Sequence, residues 1–77
     1  MESPPTTPTT SHSGEQGEAF RAARTGAGLP IRALAKRAEI SHSTISRWER
    51  GEREISDPTY QHLTLALADF MAGRWAA

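Results

Sequence analysis

The chain has no cysteine, so neither a disulfide framework nor a thiolate metal site is available, and a small domain must rely on packing alone. No apolar run approaches the ~18 residues of a membrane span. The N-terminus also lacks the basic-then-apolar order of a signal peptide. These absences lead to the expectation of a cytoplasmic protein with no membrane partner. Charge of one sign is missing as well: nine Lys and Arg balance nine Asp and Glu, which argues against an indiscriminate polycation. With 77 residues there is room for one small domain but not for a large enzyme.

Chemistry-bearing constellations are equally scarce. His12, His42 and His62 are scattered, have no Cys partner and form no Ser-His-Asp grouping. No pair of His or carboxylate residues converges at the helical spacing that metal binding needs, and no Gly-rich loop could cradle a phosphate. We therefore expect no catalytic residue, metal, cofactor or small-molecule substrate.

What is present is helical patterning behind a polar tail. Residues 1–14, MESPPTTPTTSHSG, hold no large apolar residue after Met1 and cannot bury enough surface to offset the entropy of ordering. This segment is expected to be disordered, with the domain proper over 15–77. Ser13-x-x-Gln16 has the form of a capping box. It predicts a first helix over about 15–25, with an apolar stripe of Ala19, Phe20 and Ala23. A second helix over about 30–38 is predicted by Ile31, Leu34, Ala35 and Ala38 at i, i+3, i+4, i+7 spacing, with Pro30 suited to its first position and Arg32, Lys36 and Arg37 on its polar face. A third is predicted over 41–50. At helical spacing Ile45 and Trp48 share its inner side, while Ser43, Arg47 and Arg50 share the outer; Ser41 is placed to cap it and Gly51 to end it. Asp57 as N-cap and Pro58 at the first helical position open a last helix running unbroken to about Ala72, with Leu63, Leu67 and Phe70, flanked by Tyr60 and Met71, closing the core. Trp75 is either a lid on that core or an apolar contact for a second copy.

The stretch Leu29 to Gly51, with Leu34-Ala35, Ile40-Ser41-x-x-Thr44-Ile45-Ser46-Arg47-Trp48-Glu49-x-Gly51, resembles the helix-turn-helix of the Cro and lambda-repressor family, also called XRE-like. The likeness extends upstream through Phe20-Arg21-x-x-Arg24 and downstream through Thr59 and Leu63 to Leu67. It implies an all-α, lambda-repressor-like bundle of four to five short helices, and a sequence-specific regulator, repressor-like in function, that binds double-stranded DNA with the third helix in the major groove. Arg47 is the leading base reader, because bidentate Arg to guanine is the commonest specific contact. His42 and Ser43 occupy the first turn, the end that enters the groove. Ser41, Thr44, Ser46, Arg50, Arg53 and Arg32 are expected on phosphates. The resemblance also implies a partly buried ion pair between Arg24 and Glu49. A pseudopalindromic operator would be occupied by two copies that form a weak homodimer mainly on DNA. The alternative is a helix-turn-helix serving as a protein-interaction module, such as an antitoxin-type subunit.

Three positions depart from the family pattern. Ile31 stands where a phosphate-contacting Gln is usual, and Glu39 where the turn usually has a left-handed Gly. Glu52 and Glu54 dilute a loop that is often basic.

Overall fold

The structure, a computed structural model, describes residues 11–75; the expected disorder of residues 1–10 lies outside them. Among the described residues the chain forms β1 (Ser11–His12), α1 (Gly14–Ala27), α2 (Ile31–Ala38), α3 (His42–Glu49), β2 (Ile55–Ser56) and α4 (Asp57–Met71). The architecture is all-α, with four helices around one core and a two-residue antiparallel bridge pairing Ser11 with Ser56 and His12 with Ile55.

That bridge corrects the tail boundary, because residues 11–14 are built into the domain. His12 explains why. Its ring stacks on Tyr60 with centroids 3.7 Å apart, while Nε2 lies 2.8 Å from Asp57 Oδ1 and Nδ1 lies 3.1 Å from Gln16 Oε1. Gln16 Oε1 also accepts the Ser13 N–H, and the Gln16 N–H donates to Ser13 Oγ, completing the capping box of α1. Such a cap stabilises by about 1 kcal/mol. A strap of this length needs no hydrophobic residue of its own because it borrows the faces of α1 and α4.

Trp48, Leu29, Leu34, Ile45 and Leu63 are fully enclosed, each contributing about 1.5–3 kcal/mol by removal from water. Phe20, Ile55, Ala66 and Leu67 complete the core. On α1 the buried stripe is Gly17, Phe20 and Arg24, whereas Ala19 and Ala23 are exposed. Of the expected stripe Phe20 is buried, but its companions on the buried side are Gly17 and Arg24 in place of Ala19 and Ala23. The cause is Gly17, whose missing side chain lets the backbone of α1 approach α3. A Cβ there would lie 2.0 Å from the Trp48 carbonyl oxygen.

All four helices stop in the same way. A left-handed residue donates its N–H to the carbonyl three positions back, and the next residue donates to the carbonyl five positions back: Gly28 and Leu29, Glu39 and Ile40, Gly51 and Glu52, Gly73 and Arg74. Glu39, at φ 59°, is the one non-glycine among them, at a cost on the order of 1 kcal/mol.

Three cap assignments shift. Pro30 is the N-cap of α2 and not its first helical residue. Ser56 caps α4 through the Thr59 N–H, because Asp57 is already helical and turned toward His12. Ser41 occupies the N-cap of α3, but its hydroxyl pairs with Ser43 Oγ at 3.0 Å and leaves the backbone uncapped. Helix α4 runs unbroken to Met71, as predicted. Met71 itself is 65% exposed, so it does not help close the core. Trp75 acts as the lid: Nε1 donates to the Ala66 carbonyl at 3.0 Å, its ring meets Phe70 edge-on, and the Arg37 guanidinium lies 5.1 Å from its centroid.

Candidate nucleic-acid interface

Helix α3 is fixed on its inner side by Ile45, Trp48 and Glu49, all buried. Trp48 Nε1 donates to the Ser13 carbonyl at 2.9 Å, and its ring meets Phe20 and Tyr60. Beside it, Arg24 Nε and Nη2 donate to the two carboxylate oxygens of Glu49 at 2.8 Å each, and Nη1 donates to the Leu29 carbonyl at 2.8 Å. Both side chains are more than nine-tenths buried. The bidentate fork leaves no buried side-chain polar atom unpaired among the described residues. A buried pair of this kind specifies position more than it adds stability, since desolvation offsets most of its Coulomb energy. Here it joins α1, the turn that leads into α2 and the end of α3 at one point.

The outer side of α3 follows from the same helical phase. Ser43, Arg47 and Arg50 are exposed along one stripe, with Thr44 and Ser46 half-buried on its flanks and His42 exposed at the start. Arg47 has no side-chain hydrogen bond or ion pair among the described residues, so its guanidinium is free for an external acceptor. Arg50 is partly engaged, with Nε 3.2 Å from Glu52 Oε2 at the surface. Arg53 bonds the Glu54 carbonyl through Nε at 3.1 Å. Of these two contacts only that of Arg50 engages an acidic side chain, whereas Arg53 is held by a main-chain carbonyl. Between α2 and α3 a shallow groove is lined by Arg32, Ala35, Lys36, Ile40 and His42, so Arg32 stands beside the first turn of α3 and on the same side of the molecule.

The structure thus gathers His42, Ser43, Arg47, Arg50, Ser41 and Arg32 on one polar, basic surface. Thr44 and Ser46 flank it, while Arg53 lies beyond the end of α3. Two contributors escaped the sequence reading: Gly17, which lets α3 seat against α1, and Ser13, whose carbonyl holds Trp48. The spacing Gly14-x-x-Gly17 was the available signal, because a Cβ on Gly14 would meet Gly51 Cα at 2.6 Å just as one on Gly17 would meet Trp48.

Among the described residues no three His, Asp or Glu side chains gather in a way that could hold a metal ion, and no helix is long and apolar enough to cross a membrane. A helix-turn-helix family model matches residues 20–67 of the chain. No curated protein and no solved structure matches it.

Proposed function

Because the chain belongs to the XRE-type helix-turn-helix family of DNA-binding transcription regulators, we propose that it is a sequence-specific repressor, Cro-like in action, that lays α3 in the major groove of an operator. The observation that carries this reading is the exposed stripe Ser43, Arg47 and Arg50 on a helix whose opposite side is fixed by the Arg24–Glu49 fork. Polar side chains with free donors are what base edges and phosphates require; a surface that docks another protein would carry apolar residues there.

Arg47 reads a base edge, and His42 and Ser43 reach bases from the first turn of α3. Ser41, Thr44, Ser46, Arg50, Arg53 and Arg32 hold phosphates. One such helix spans only a few base pairs, so two copies occupy half-sites about 34 Å apart on a pseudopalindromic operator and pair chiefly while bound there. The exposed Met71 beside the Phe70–Trp75 lid supplies the small apolar patch for that contact.

Selection from a random duplex pool, followed by band shifts, tests the proposal. Arg47→Ala costs roughly 1–3 kcal/mol on the selected site and flattens preference at one base-pair position, whereas Arg50→Ala weakens selected and random duplexes alike. Equal losses on both duplexes for both variants would remove Arg47 from base reading.

A further inference from the structure

Helix α1 also borders the interface, through a cleft of about 260 Å³ lined by Arg21, Arg24, Ile31, His42, Ser46, Glu49 and Arg50. Its charges do not balance. Arg24 and Glu49 neutralise each other in the buried fork, which leaves Arg21 on one wall and Arg50 on the other. Arg50 is shared with Glu52 at the rim. Arg21 is exposed and forms no side-chain hydrogen bond or ion pair among the described residues. The nearest acid on its own helix, Glu18, is turned elsewhere, its carboxylate lying against Gly51. The third wall, Ile31, is half-buried against the core and offers no side-chain donor. Ser46 and His42 place this cleft directly beside the first turns of α3.

We infer that Arg21 is a DNA-backbone contact: its guanidinium and that of Arg50 close on one phosphate from opposite sides of the cleft, so that α1 adds a positioning contact to those of α2 and α3. The inference rests on the DNA-binding reading above. A planar guanidinium is suited to two phosphate oxygens at once, and a cleft with unopposed positive charge draws an anion by focusing the field between its walls. Nothing in the cleft distinguishes one base from another. The contact fixes the register of α3 on the duplex without reading sequence.

The test uses the full chain and the duplex that wild type selects from a random pool, with affinity measured from 50 to 200 mM salt. Losing one phosphate contact lowers the slope of log K against log salt by about 0.9 per bound copy. Arg21→Ala therefore shrinks the affinity ratio between the two salt concentrations about 3.5-fold. Its losses are equal on selected and random duplexes, its thermal melt is unchanged, and Arg21→Lys recovers most of the slope. Replacing backbone phosphates singly by methylphosphonate locates the partner: at one position the loss is clearly smaller for Arg21→Ala than for wild type, because only Arg50 still holds that phosphate. An unchanged salt slope, or an Arg21→Ala variant as sensitive as wild type at every phosphate, overturns the inference while Arg47→Ala still reports base reading. A wild-type chain that selects no duplex overturns the DNA reading and this inference with it.

Discussion

The contact of α1 with α3 and that of α2 with α4 use different physics. On the first, backbone meets backbone at Gly17, charge meets charge in a bidentate fork, and Trp48 donates a hydrogen bond across the interface. Each of these terms depends on direction as well as distance. On the second, Leu34 and Leu63 bury fully, but one rim stays open as a groove of about 280 Å³ lined by Arg37, Ala38, Glu39, His62, Leu65, Ala66 and Asp69, with Leu65 61% exposed. Apolar burial scales with area and tolerates sliding. The helix that presents Arg47 is therefore the one held by directional contacts, and the helices behind it are held by area.

The sharpest way to break that contrast is to unpair the fork. Glu49→Ala leaves the Arg24 guanidinium buried without its partner and should lower the unfolding free energy by about 3–5 kcal/mol, while Leu65→Ala on the open rim should stay within about 0.5 kcal/mol. Urea titrations of the two variants decide it; similar midpoints would mean that the two interfaces do not differ as described. Gly17→Ala comes next. Its methyl group has to displace the Trp48 carbonyl, and overpacking of this kind costs about 1–3 kcal/mol, against a helix-propensity gain of up to about 1 kcal/mol. A Gly17→Ala variant more stable than wild type would show that α1 and α3 can separate freely. The smallest effect is a gain: Glu39→Gly removes the left-handed strain in the turn between α2 and α3, worth about 1 kcal/mol. For a domain this small, differential scanning calorimetry should register that as a rise in Tm of about 4–8 °C. An unchanged Tm would mean that the turn relaxes around Glu39 at no cost.

Where the chain announces a feature locally, the sequence is legible. The capping box at Ser13 and Gln16, the stop at Gly51 and the unbroken α4 each depend on a few adjacent residues, and each is found where it was expected; the left-handed position at 39 was legible only through the glycine usual in the family. The Arg24–Glu49 fork spans 25 positions and was legible only through family resemblance, since neither residue stands out among its charged neighbours. The strap was not legible at all. Two strand residues show no periodicity, and His12 finds Asp57 at a separation of 45 positions. On α1 Phe20 is buried as expected, but its alanine companions were misassigned because Gly and Ala look alike to a hydrophobic pattern, yet only Gly permits backbone contact. At the start of α4 both Ser56 and Asp57 are good caps; Ser56 takes the role while Asp57 pairs with His12, 45 positions away in the chain. Arg47 stands out in the sequence as a base reader, whereas a role for Arg21 can be proposed only after α1 and α3 are seen to wall one cleft.

The left-handed stops also work as frame markers. A helix turns about 100° with each residue, so the side on which a residue emerges is counted from where its helix is anchored. For α3 the count runs between Glu39 and Gly51, and within it Trp48 and Glu49 are tied to Ser13 and Arg24. Arg47, adjacent to Trp48 in sequence, points outward because Trp48 points inward. Length within this interval is thus information: substitution changes which group is presented, whereas insertion or deletion changes which residue is read.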